Sequence, residues 1–151
     1  MTQDDIVDTL NDLIETSKDG EYGFRTSAEY AKAPEIKDLF TRRAAECGQA
    51  AAELQTLVRQ CGGKPEDSGS AAGAVHRGWV AVKGTLAGYS DKAILEETER
   101  GEDTALASYR KALEKALPPD LRAVVERQYE GAKRNHDQVR QLRNMARAAT
   151  S

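Results

Sequence analysis

The chain has 151 residues, is 39% hydrophobic and 31% charged, and carries a formal net charge of -3. That length suits one domain, here taken as residues 1–151, able to bury its own core without disulfide or metal staples. The mildly acidic balance, with no basic patch interleaved with aromatics, excludes a nucleic-acid footprint, and no uncharged apolar run approaches membrane-spanning length.

Thr2 followed by Asp5 reads as a capping box, and Ile6, Leu10, Leu13, Ser17, Glu21, Phe24 and Ala28 then recur at helical spacing towards Pro34. This first helix turns polar halfway along its stripe, at Ser17, Gly20 and Glu21. Pro34 suits the first turn of a second helix, whose stripe reads Ile36, Leu39, Arg43, Cys47, Ala50, Leu54 and Cys61 until Gly62 and Gly63 end it. Its centre is polar too, with Arg43 and Glu46 beside the stripe. A helix-breaking loop over residues 62–70 follows, and Ala72, Val75, Trp79, Val82 and Leu86 mark a short amphipathic helix. Ser90 and Asp91 open a third long helix that runs to about Lys115, where Pro118 and Pro119 break the chain. The last helix spans about Asp120 to Ala148, with Leu121, Val125, Gln128, Ala132, His136 (or Asn135) and Val139 inward.

The third helix places acid on its buried stripe, since Leu95, Thr98, Glu102, Ala105 and Tyr109 share one face, with Glu99 on the flank. A buried carboxylate must be protonated, paired with a cation or bound to a metal. Each long helix carries its inward polar residue near mid-length, so Glu21, Arg43 or Glu46, Glu102 with Glu99, and Gln128 with His136 are expected to meet in one layer. Charge is uneven as well. Residues 1–38 sum to -6 and residues 120–151 to +3, which makes the first and last helices complementary neighbours if they pack side by side.

Cys47 and Cys61 lie about 21 Å apart along one helix, too far to bridge each other. The acidic start MTQDDIVDTL lacks the basic residues and apolar run of a secretory signal, and together these features place the protein in the cytoplasm. Nothing supports nucleophilic catalysis: no Gly-x-Ser-x-Gly, no glycine-rich phosphate loop, and no histidine near either cysteine in sequence. His76, at the edge of the short helix beside Trp79, reads as structural.

Asp19-Gly20-Glu21 with Gly23-Phe24, Gly73 with His76-Arg77 and Trp79, Glu99-Arg100-Gly101-Glu102-Asp103 with Tyr109, and His136-Asp137 with Leu142-Arg143 together carry a resemblance. Over roughly residues 5–145 the chain resembles a bacterial ferritin-like four-helix-bundle family of unknown function. The resemblance implies an all-α ferritin-like bundle with an additional short helix in the crossover between the second and third long helices. It implies no agreed activity.

Di-iron bundles of this type use a Glu from each of two helices and a Glu-x-x-His from each of the others. No Glu-x-x-His occurs in this chain; Gly73 and Lys133 stand three residues before His76 and His136. The leading expectation is therefore a non-catalytic bundle protein, a homodimer without nucleic-acid or membrane partners. In it Arg43, or Arg25 or Arg100 from the flanks, neutralises Glu21 and Glu102 in place of metal. The alternative is a metal-binding, di-iron-like protein of iron, oxidative or stress chemistry. Its ligands for iron or another divalent metal would be Glu21, Glu46, Glu102 and His136.

Overall fold

The computed structural model describes residues 1–66 and 89–150 of the chain. Four long helices lie among them: α1 (Gln3–Tyr30), α2 (Pro34–Gln60), α3 (Asp91–Leu113) and α4 (Pro119–Thr150). The expected short crossover helix, with Gly73, His76, Arg77 and Trp79, falls outside the described residues.

Local chemistry sets the ends of each rod. The Thr2 hydroxyl accepts the Asp5 amide at 3.1 Å while the Asp5 carboxylate accepts the Thr2 amide at 3.1 Å, so the capping box is formed in both directions. That pair of bonds holds the Asp5 carboxyl below its ordinary range. Pro34 occupies the first turn of α2, where its missing N–H costs nothing. At the other end of α2, Gly62 adopts a φ of +79°. The Gly62 amide then donates to the Arg59 carbonyl and the Gly63 amide to the Val58 carbonyl, a Schellman closure that satisfies two orphan carbonyls. Ser90 caps α3 by accepting the Ala93 amide at 3.2 Å.

Short links make α1–α2 and α3–α4 antiparallel hairpins, and two contacts fix how the hairpins meet. At one end the Asp91 carboxylate accepts the backbone amides of Lys32 (2.8 Å) and Ala33 (2.9 Å) in the α1–α2 turn. At the opposite end Lys115 donates to the Thr9 hydroxyl at 3.0 Å. Consequently α1 and α3 pack side by side and antiparallel, α2 and α3 run in the same direction, and the connection between them must join opposite ends of the bundle. This is the one-crossover arrangement.

The first and last helices are not neighbours, which corrects the side-by-side pairing considered from their charges. α1 packs on α2 and α3, and α4 packs chiefly on α3 and only lightly on α2. Complementary net charge is a weak, screened effect between exposed side chains and does not choose a partner against the burial of apolar stripes.

The apolar core is in two parts. One cluster near the α1–α2 turn contains Phe24, Phe40, Ile94, Leu95 and Val139. The other, towards the opposite end, contains Leu10, Leu13, Ile14, Leu54, Leu106 and Val125. Between them lie buried polar groups: Ser17, Arg43, Glu102, Gln128 and Asn135. Among the described residues no helix is long and apolar enough to cross a membrane. Because Gly62 holds a left-handed conformation that a Cβ resists, Gly62→Ala should lower unfolding free energy by about 1–2 kcal/mol. A urea titration reads this as a shifted midpoint at unchanged slope.

Candidate functional site

Glu102 is 1% exposed and lies in the middle of the bundle. Its neutraliser comes from α2: Arg43 Nη2 donates to Glu102 Oε1 at 2.9 Å and Arg43 Nε to Oε2 at 3.2 Å, a two-pronged fork on one carboxylate. From α4, Asn135 Nδ2 donates to the same Oε2 at 2.7 Å. Three of the four helices thus meet on one carboxylate.

The guanidinium is buried with its partner and has further contacts. Arg43 reaches Glu46 on its own helix at 3.4 Å, and its Cζ lies 5.9 Å from the centre of the Phe24 ring. Burial alone would lower the Arg43 pKa, but the Glu102 carboxylate, through its charge and its hydrogen bonds, helps hold the group above its ordinary value. Burial pushes the Cys47 thiol up to about 12 and the Tyr109 phenol up to about 12, so both are neutral near pH 7.

A second polar tier lies next to the first. Tyr109 donates to Gln128 Oε1 at 2.9 Å, its hydroxyl is 3.5 Å from Ser17 Oγ, and Gln128 Nε2 in turn donates to Glu53 Oε1 at 2.8 Å. A cavity of about 440 Å³ runs from between α2 and α4 to these groups, its lining including Arg43, Cys47, Glu102, Tyr109 and Gln128. The inward polar residues are therefore distributed over successive tiers. Gln128 belongs to the Tyr109 tier, while Asn135 reaches Glu102.

The remaining expected site residues go to different places. Glu21 sits at the α1–α2 surface against Gly48, paired with Arg25 at 3.1 Å and approached by Lys18 at 3.9 Å. Glu46 is exposed and touches the cluster only through Arg43. Arg100, on the surface, pairs with Glu97 at 3.0 Å and takes no part. His136 is buried on the α3–α4 seam, where Nε2 stands 2.6 Å from Asp103 Oδ1 and 4.0 Å from Glu99 Oε1. Glu99 also receives Arg143, and Arg140 approaches it at 3.5 Å. Among the described residues, ligand atoms of Glu99, Asp103 and His136 lie within 4.8 Å of one another, a spacing compatible with a shared metal ion. Glu21, Glu46 and Glu102 are not in that group. Glu102 instead spends both oxygens on donors from Arg43 and Asn135, a poor fit to the bridged metal pair of a ferritin-type layer.

Asn135, expected only as the alternative to His136 on the inner stripe, and Asp103 are residues that the expected layer left out. Asp103 stands one turn beyond Glu99, so i, i+4 carboxylates on one flank were a legible signal. A search for Glu-x-x-His within one helix misses an imidazole contributed by another.

Architecture and polar centre together define an all-α, ferritin-like four-helix bundle. The fold is similar to that of a dodecameric thioferritin, the bacterioferritin-related protein from Bacteroides fragilis. That likeness has a TM-score of 0.82 at 12% identity and covers 99% of this chain and 91% of that one. A conserved hypothetical protein from Mycobacterium tuberculosis is also similar, with a TM-score of 0.72 at 12% identity, over 89% of this chain and 93% of that one. By sequence, the chain belongs to the family described as Domain of unknown function (DUF2383), matched over residues 5–115. No curated protein matches it.

Removing one half of the buried pair strands the other. Arg43→Ala should cost about 3–5 kcal/mol, whereas Arg43→Met combined with Glu102→Met should recover most of that loss. Chemical denaturation of the three proteins decides it. The thiols give a second check: because Cys47 is buried and Cys61 half-buried, Cys61 should be alkylated first at pH 8. The native state keeps the Cys47 proton that an unfolded chain releases above about pH 9, so stability should fall as pH rises from 9 towards 12, less steeply in Cys47→Ala.

Proposed function

We propose that the chain is a single ferritin-like domain acting as a non-catalytic, self-associating bundle, with the Arg43–Glu102 ion pair standing where ferritin-type relatives bridge metal. The observation that carries this reading is the saturation of Glu102: two guanidinium N–H groups and one amide N–H point at its two oxygens in a site almost closed to solvent. A guanidinium already supplies the positive charge that a bridging ion would bring. Glu21 and Glu46, the acids nearest in role, are engaged by basic residues of their own helices. Oxidation or iron chemistry therefore has no open ligand at the mid-bundle carboxylate.

Self-association is supported by the fold's likeness to an assembly of twelve copies in Bacteroides fragilis. A homodimer is the simplest closed assembly of this kind, and larger rings or shells are multiples built by the same rules. Metal binding has support at a different place, the Glu99, Asp103 and His136 group on the α3–α4 seam.

Two measurements test the proposal. Light scattering coupled to gel filtration should give a mass that is a multiple of 16.5 kDa, and a lone 16.5 kDa species up to high protein concentration would overturn self-association. Aerobic titration with ferrous iron should show no more than one ion per chain and no dependence on Glu102. Two ions per chain with oxygen uptake, both lost in Glu102→Ala, would overturn the non-catalytic reading.

A further inference from the structure

On the seam between α3 and α4, two carboxylates spaced by one helical turn face a buried imidazole. His136 is 5% exposed, and its Nε2 makes no hydrogen bond although it lies 2.6 Å from Asp103 Oδ1. The distance is short, yet the contact does not make a hydrogen bond. A buried ring nitrogen without a hydrogen bond, within 4.0 Å of two carboxylate oxygens, is in deficit.

We propose that Glu99, Asp103 and His136 form a mononuclear site for a divalent transition-metal cation. One oxygen of each carboxylate and His136 Nε2 are the protein ligands, and water completes the coordination. The three ligand atoms lie within 4.8 Å of one another, close enough to share one ion at about 2.0–2.2 Å, the range of zinc bonded to nitrogen and oxygen. One imidazole with two carboxylates suits Zn²⁺, Mn²⁺ or Fe²⁺. Soft Cu(I) prefers sulfur, and Mg²⁺ or Ca²⁺ prefer an all-oxygen set.

The surroundings match the way such ligands are held. The other ring nitrogen, Nδ1, stands 3.4 Å from Asp137 Oδ1, which orients the imidazole so that Nε2 is left to coordinate. Arg143 grips Glu99 through Oε2, leaving Oε1 4.0 Å from His136 Nε2. Asp103, 58% exposed, opens the site to solvent and gives the ion its way in. Arg140 approaches Glu99 Oε1 at 3.5 Å, but its side chain is 53% exposed and can withdraw into water. The site is separate from the Glu102 centre: Glu102 precedes Asp103 by one residue and turns to Arg43.

Calorimetric titration of the full chain with Zn²⁺, and backbone-amide NMR with paramagnetic Co²⁺, test the proposal. The expected result is one ion per chain, with broadening centred on residues 99–103 and 136–137. Asp103→Asn and His136→Gln should each weaken Zn²⁺ binding at least tenfold, while Glu21→Gln and Glu46→Gln leave it unchanged. Asp103 is an exposed surface group, so its variant carries the test even if His136→Gln fails to fold. No saturable binding at millimolar Zn²⁺, or full binding retained in Asp103→Asn, would mean that the histidine makes ion pairs only, and the proposal fails. Broadening centred on Glu21, Glu46 and Glu102 would overturn this site and the metal-free mid-bundle layer together; loss of the seam site alone would leave that layer's reading intact.

Discussion

A carboxylate closed off from water in the middle of a helical bundle restricts everything around it. Glu102 cannot be left there unpaired, so α2 must present Arg43 at its height and α4 must present Asn135. Sliding α3 by one turn, about 5.4 Å, would part the fork and leave both charges buried without partners. An apolar pair of the same volume would fill the space with similar stability. What the ion pair adds is a strong penalty on wrong registers, which two apolar clusters above and below it could not impose by themselves.

Much of this frame was legible in the sequence because the signals that end helices are local. Thr2 with Asp5, Ser90, Pro34, Gly62-Gly63 and Pro118-Pro119 all act within a few residues of themselves, and each marks a boundary close to where it is observed. The inward acid at Glu102 and its neutralisation by Arg43 were legible for a related reason: helical periodicity fixes which residues face in, and desolvation dictates what must accompany them.

The arrangement between helices was less legible. Periodicity assigns a residue to the inner face but not to a neighbour across the interface, so Gln128, Asn135 and His136, all inward on α4, could not be sorted among tiers. Rotation of α4 decides it, sending Asn135 to Glu102 and His136 to the seam with α3. Glu21 shows the same indeterminacy. Its position in the stripe suggested the interior, yet it lies where α1 meets α2, against the small face of Gly48, with Arg25 and Lys18 in reach. Long side chains near the edge of a stripe leave the core when basic partners on their own helix lie closer to water.

The clamp formed by Asp91 on the amides of Lys32 and Ala33 carries one more implication. Together with the Lys115–Thr9 bond at the far end, it stitches the two hairpins to each other by contacts that owe nothing to the covalent thread joining them. With one bolt at each end of the same α1–α3 interface, neither hairpin can pivot about the other, and a twist between them must break a polar bond before it uncovers any apolar surface.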